Sequence, residues 1–255
     1  MGKIIAIINQ KGGVGKTTTA VNLAACLAYK GKKILLVDSD AQGNATSGLG
    51  IDKNDIELSI YDCLVDDSKI NDAIIRTKYK NLSILPSAQS LSAAEIELAY
   101  EENREFFVKK ALAHVVNDYD YIIIDSPPAL GLLTINIMTA SNSVLIPIQC
   151  EYYALEGLAQ LVTTVKTIKK SLNKELEIEG IIATMFDKRT NLSQQVYDEV
   201  KTHFPDKTYD TVIPRNVRLS EAPSFGEPII KYDITSVGAD AYFKLSRELI
   251  DRNSK

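Results

Sequence analysis

A short run near the N-terminus, Gln10-Lys11-Gly12-Gly13-Val14-Gly15-Lys16-Thr17-Thr18, has the residue types and spacing needed to grip a polyphosphate. Gly12, Gly13 and Gly15 let successive backbone N–H groups turn inward around phosphate oxygens, and a helix starting just beyond adds the positive end of its dipole. Lys16 stands where an ammonium reaches β- and γ-phosphates, and the Thr17 hydroxyl stands where it binds Mg²⁺. The pattern G-x-x-x-x-G-K-[ST] is met only with its first glycine relaxed, because Gln10 occupies that position. The turn itself rests on the other glycines, so the physics survives. Lys11 is the oddity, since a second lysine is not needed to cradle a nucleotide bound by its own chain. It is a solvated surface charge or it reaches something else.

Carboxylates that could complete such a site come in two places. Asp38-Ser39-Asp40-Ala41-Gln42-Gly43-Asn44 puts two acids at i and i+2 on a strand end, a spacing that projects both into the crevice beyond the strand. One can support a Mg²⁺ shell through water, and the other can orient an attacking water. The segment Tyr121-Ile122-Ile123-Ile124-Asp125-Ser126-Pro127-Pro128 is a buried strand ending in an acid. Asp125 is expected to hold a magnesium-bound water, with residues Ser126 to Gly131 responding to the γ-phosphate.

These residues act only if a fold brings them together. Strands are predicted at Lys3–Asn9, Lys33–Asp38, Leu82–Pro86, Tyr121–Asp125, Ser143–Ile148, Glu179–Phe186 and Thr211–Ile213. The runs are apolar throughout rather than alternating, as parallel strands covered on both faces should be. Helices are predicted at Thr17–Tyr29, about Ser90–Asn117, Tyr153–Leu172, Leu192–His203 and Ser236–Asp251, with 41–79 a loop holding two short helices. Repetition of strand and helix implies an α/β fold, a doubly wound and mostly parallel β-sheet with helices on both faces. No linker and no repeat divides the chain, so residues 1–255 are expected to form a single domain.

Composition bounds the rest. At 255 residues, 45% hydrophobic and 24% charged, the chain can bury one large core. The apolar runs are strand-sized, so neither a transmembrane span nor a signal peptide is expected. Cys26, Cys63 and Cys150 have no C-x-x-C spacing, which fits a reducing cytoplasm and argues against a structural zinc site or disulfide framework. Net charge is −4, so any nucleic-acid surface must be a local patch.

The segment Lys11 to Thr18, KGGVGKTT, resembles the deviant phosphate loop of the ParA/Soj partition ATPases, whose relatives include MinD division-site ATPases and nitrogenase iron proteins. The resemblance covers nearly the whole chain and extends to Asn44–Gly50, Gln149–Gly157 and Val212–Ser224, pointing to the Soj branch. It implies a P-loop ATPase of the deviant Walker A type, with ATP and Mg²⁺ as cofactors. Lys11 should cross an ATP-dependent sandwich homodimer to the partner's phosphates, somewhat as an arginine finger does. Lys11, Lys16 and Asp40 are then the catalytic residues. Lys11, Gly12, Gly13, Val14, Gly15, Lys16, Thr17, Thr18 and Glu151 contact ATP, Pro214 and Asn216 border the adenine, and Thr17 and (through water) Asp125 serve the metal. The family's usual Asp-x-Asp-Pro-Gln-Gly-Asn is broken by Ala41, which frees a backbone dihedral that proline would fix. A GTPase would carry Asn-Lys-x-Asp where this chain has Thr184-Met185-Phe186-Asp187, so ATP is favoured over GTP. No additional N-terminal DNA-binding domain is expected, and the cysteines are not placed to share an iron–sulfur cluster.

The resemblance also implies that the ATP-bound dimer binds double-stranded DNA nonspecifically and that a ParB/Spo0J-type centromere-binding protein stimulates slow hydrolysis. It places the protein in the cytoplasm, on the nucleoid, with no stable membrane insertion. Lys188 and Arg189 follow one strand and Arg215 and Arg218 bracket another loop, so four cations doubled by a dimer axis could follow a phosphate backbone. The other reading of these four is solvated cations and intramolecular salt bridges. Two rival functions stay open. A MinD-like membrane-associated division-site ATPase needs a C-terminal amphipathic membrane helix, against which Ala241–Ile250 is short and mixed in charge. A metabolic ligase or synthetase would turn over only with a small-molecule substrate, for which no acceptor pocket is apparent.

Overall fold

The computed structural model describes residues 2–254. Its strands are β1 (Lys3–Ile7), β2 (Ile34–Asp38), β3 (Ile75–Arg76), β4 (Leu82–Leu85), β5 (Tyr121–Asp125), β6 (Ser143–Gln149) and β7 (Glu177–Thr184). They form one seven-stranded sheet in the order β3-β4-β2-β5-β1-β6-β7. Every pairing is parallel except that of β3 with β4 at the edge. The helices are α1 (Lys16–Tyr29), α2 (Asn44–Gly48), α3 (Ile60–Val65), α4 (Ile70–Ala73), α5 (Leu91–Glu97) and α6 (Phe107–Ala113). Then follow α7 (Leu132–Ala140), α8 (Ala154–Ser171), α9 (Asn191–His203), α10 (Val217–Glu221), α11 (Ile229–Tyr232) and α12 (Val237–Asn253).

Both sheet faces are covered, which explains the unbroken apolar strands. Successive β1 residues go to opposite sides: Ile4, Ala6 and Ile8 join a core with α3 to α9, while Ile5 and Ile7 join one with α1, α10, α11 and α12. Alanines at 20, 24, 25 and 28 are buried along α1, so that helix lies close against the sheet and α12. The doubly wound sheet is as expected, and it delivers residues 9, 38, 125 and 149 to one edge.

Several boundaries differ from expectation for physical reasons. The predicted Thr211–Ile213 strand is an irregular segment tracking β7, with Ile213 N–H donating to the Ala183 carbonyl (2.8 Å) and Phe186 N–H to that of Ile213 (2.9 Å). Pro214 lacks the N–H a ladder needs, and Tyr209, wholly buried, packs where a Gly180 side chain would be. β7 runs Glu177–Thr184 and not Glu179–Phe186, because Met185 turns out at φ 49°. The long helix expected over Ser90–Asn117 is broken by exposed, polar Glu101 to Asn103, the last at φ 56°. α7 was not foreseen, since a helix buried on nearly every side has no polar face to reveal its period. The edge strand β3 is only two residues long and leaves no pattern.

Candidate nucleotide-binding site

The loop after β1 is held before any ligand arrives. Asn9 is buried; its side-chain amide donates to the Pro147 carbonyl (2.8 Å) and its Oδ1 accepts the Lys11 N–H (2.9 Å). On the far side, Thr184 Oγ1 donates to the Val14 carbonyl at 2.8 Å. Gly15 closes the turn at φ 85°, left-handed backbone that a side chain would strain, and its carbonyl accepts the Thr19 N–H that opens α1 (2.9 Å). Asn9 and Thr184 escaped the sequence reading; each is a polar residue ending an otherwise apolar strand, which was the available signal.

Lys16 is only 7% exposed and its Nζ donates to the Lys11 carbonyl (3.3 Å). Burial lowers its pKa, while the Asp125 and Asp40 carboxylates pull it back up. Asp125 lies at the end of β5 in register with Asp38 of β2, is wholly buried, and neither of its oxygens has a well-formed hydrogen bond among the described residues. Burial first, and the neighbouring Asp38 second, push its pKa well above the carboxylate range, with the Thr17 hydroxyl opposing. A buried carboxylate left without donors is costly unless a cation or its water joins it. Asp125 beside Thr17 and Lys16 therefore fits a hydrated Mg²⁺ next to a polyphosphate.

The two acids of the Asp38–Asp40 segment do not act as a pair. Asp38 points inward rather than into the crevice: its Oδ2 accepts both the N–H and the hydroxyl of Thr46 (2.7 Å each), and its Oδ1 accepts the Asp40 N–H (3.2 Å). This corrects the expectation that both project into the site. Burial raises the Asp38 pKa, and those donors oppose the rise. Asp40 is half-buried, its Oδ1 accepting only the Gln42 N–H (3.0 Å). The side chain of Lys53 donates to the Gln42 carbonyl. These bonds hold the loop that Ala41, in place of proline, leaves free.

Beside the cradle lies a cavity of about 380 Å³, with Met185, Ile213, Pro214, Leu219 and Pro223 as apolar walls and Thr184 and Asn216 among its polar groups. Size and lining suit a purine. Asn216 Oδ1 already accepts the Leu219 N–H to cap α10 (3.2 Å), which leaves its amide nitrogen for a base. Asp187, where a guanine reader would stand, is not in the wall; Arg189 holds it by two bonds of 2.9 and 2.7 Å. The base wall also meets the Asp40 side of the site. At Gly226 an added Cβ would stand 2.6 Å from the Gly50 Cα, so two backbones touch just beyond α2.

Lys11 is placed quite differently from Lys16. Its side chain is 49% exposed and pairs with Glu151 at 2.5 Å, at the rim of the loop. Tyr152 and Tyr153 beside Glu151 are both exposed and stack edge to face. The four cations proposed for nucleic acid do lie together, because Arg215 N–H donates to the Phe186 carbonyl (3.2 Å) and ties their loops. Two are neutralised locally: Arg189 by Asp187, and Arg218 by Glu221 (2.9 Å) and Asp233 (3.5 Å). Lys188 and Arg215 are exposed and have no carboxylate partner among the described residues. Cys26, Cys63 and Cys150 are buried thiols, with burial pushing their pKa values up to about 12, 12 and 11.

Comparison with known proteins agrees with this geometry. A family model described as an AAA domain matches residues 2–178. The chain is 63% identical to the sporulation initiation inhibitor protein Soj of Bacillus subtilis, over 98% of this chain and 98% of that one. It is 53% identical to the chromosome partitioning protein ParA of Myxococcus xanthus, over 100% of this chain and 90% of that one. The crystal structure of cobyrinic acid a,c-diamide synthase from Mycobacterium smegmatis with bound ADP and magnesium is similar at a TM-score of 0.85 and 33% identity. The match covers 100% of this chain and 96% of that one.

Proposed function

The chain belongs to the ParA/Soj family of partition ATPases, and on that premise we propose a nucleotide-switched dimer that segregates a chromosome or a plasmid. ATP joins two copies face to face, the dimer holds double-stranded DNA without reading its sequence, and hydrolysis to ADP and phosphate releases both. A ParB/Spo0J-type centromere-binding protein stimulates that step. Residues 1–255 work as one ATPase domain, in the cytoplasm and on the nucleoid.

The roles follow from the site. Lys16 and the backbone of residues 12–18 bind the phosphates, and Pro214 and Asn216 border the base. The Thr17 hydroxyl and, through water, Asp125 hold Mg²⁺, which supplies positive charge to the phosphate oxygens. Asp40 orients the attacking water and accepts its proton. The neighbouring Asp38 is held by Thr46 and Asp125 is committed to the metal, so Asp40 acts alone and turnover in isolation is slow.

The contrast between the two lysines carries the reading. Lys16 is buried inside its own loop, whereas Lys11 is held on the rim by a single exposed carboxylate and is available to a second subunit. Exchanging Glu151 for a partner's phosphate costs little, because an exposed ion pair contributes about 0–1 kcal/mol. The membrane-associated alternative is disfavoured because α12 buries its apolar residues, including Tyr242, Leu245 and Leu249, in the core. Among the described residues no helix is long and apolar enough to cross a membrane. Light scattering with ATP tests the reading: the parent should dimerise, while Lys11→Ala should bind ATP yet remain monomeric. Equal dimerisation of both would refute the role in trans.

A further inference from the structure

We propose that the duplex follows each subunit beyond Arg218, along α11, into a basic groove lined by Lys78, Lys80 and Lys231. This rests on the DNA-binding reading above. The groove is a hollow of about 440 Å³ with Tyr29 and Tyr79 in its walls. A second hollow of about 600 Å³ shares Tyr79, Lys80 and Asn81 with it and adds Lys33 and Arg76. Five cations from the α1–β2 turn, the β3–β4 segment and α11 thus line two joined depressions, where Asp118 is the only acidic lining residue.

Their state differs from that of the arginines already considered. Lys33, Arg76, Lys80 and Lys231 have no carboxylate partner among the described residues, and only Lys78 has one, Glu227 at 3.6 Å. In a chain of net charge −4 such a concentration is not the average surface. α11 joins the groove to Arg218 directly. Tyr232, next to Lys231, donates its hydroxyl to Glu221 Oε2 (3.0 Å), the same oxygen that Arg218 Nη1 meets at 2.9 Å. Arg218 Nε faces Asp233, one residue further on.

The arrangement selects an extended anion. A small anion needs donors converging on one point, whereas these cations are strung along connected hollows. Duplex DNA offers one negative charge per roughly 1.7 Å of axis and can meet all of them. A bilayer is disfavoured because the groove is concave and its apolar floor of Ala25, Ala28 and Ile230 is buried.

The test uses the full chain with ATP and Mg²⁺ on random-sequence duplex DNA across a salt series. Lys80→Gln with Lys231→Gln is compared with Lys109→Gln with Lys110→Gln, an equal charge change on exposed positions of α6, across the sheet. The log–log salt slope should flatten by up to about 0.9 for each of the four lysines that a groove-variant dimer loses. Retention should fall at least about tenfold, with ATP-driven dimerisation and turnover as in the parent, and the α6 pair should behave as the parent. An unchanged slope in the groove pair, or an equal fall in the α6 pair, overturns the path while the DNA reading stands. A parent not retained on DNA with ATP overturns both. Loss of binding to phosphatidylglycerol vesicles without loss on DNA would assign the groove to a membrane and overturn the proposal.

Discussion

The nucleotide site and the cationic loops of residues 187–189 and 215–218 handle charge in opposite ways. At the nucleotide site the charges are buried and poorly matched: Asp125 has no donor, and Lys16 leans on a carbonyl. At the loops the charges are exposed and half of the cations are already matched, Arg189 to Asp187 and Arg218 to Glu221 and Asp233. A site that carries its desolvation cost in the folded state binds a specific ligand tightly, since the ligand supplies what is missing. A surface with only two unmatched cations in each subunit binds weakly, and must gain strength by doubling. On the proposed function, the difference would let one molecule grip ATP firmly and release DNA.

The sharpest way to break this comparison is to remove charge from the buried site. Asp40→Ala should lower hydrolysis by at least about 10²-fold, the usual contribution of a positioned base, while ATP affinity stays near the parent's. Lys16→Ala should instead weaken ATP binding by about ten- to a hundredfold, since charge-assisted hydrogen bonds contribute about 1.5–3 kcal/mol. Isothermal titration and phosphate release separate the two, and equal loss of affinity in both variants would make Asp40 a binding residue.

On the exposed side the effect should be large for DNA and absent for ATP. Arg189→Glu or Arg218→Glu should abolish DNA retention with dimerisation intact. A double variant retained with the parent's salt slope would place the patch elsewhere.

A pH series sharpens the contrast further. Asp125 and Asp38 have folded pKa values raised above their unfolded ones, so between those values the folded chain holds protons that the unfolded chain has released. Stability therefore falls as pH rises through that window. Asp125→Asn removes one such group, so the nucleotide-free variant should melt above the parent, by a margin that widens from about pH 5 to about pH 7. A constant margin would mean that Asp125 is already ionised in the folded chain throughout that range.

The smallest effect is expected from Asp187→Asn, which frees Arg189 from its partner. Surface pairs contribute little, so DNA retention in filter binding should rise only a few-fold, and a fall would show that Asp187 positions the arginine for DNA.

The sheet was legible because runs such as Ile34 to Val37 are buried on both faces and so are apolar at every position. The phosphate loop was legible because its glycines and Lys16 follow a strand at fixed spacing. What escaped depends on contacts distant in sequence. Asp38 looked like a twin of Asp40 until Thr46 folded back on it, and the role of Asn9 depends on the Pro147 carbonyl. Whether Arg189 and Arg218 were free or salt-bridged stayed open, because spacing does not say which carboxylate lies next to them. The groove of Lys78, Lys80 and Lys231 was invisible for the same reason.

The touching backbones of Gly50 and Gly226 have a consequence for how the molecule assembles and breathes. With no side chain between them, the segment after Asp40 and the wall of the base cavity have nothing soft to slide on. Their meeting closes a very long loop of chain, an entropic cost met only once most of the sheet is in place. Both segments should therefore order late and open together, as one cooperative unit in hydrogen exchange. On the proposed function, the base cavity near Pro223 and the loop that starts at Asp40 would then be coupled through the main chain itself.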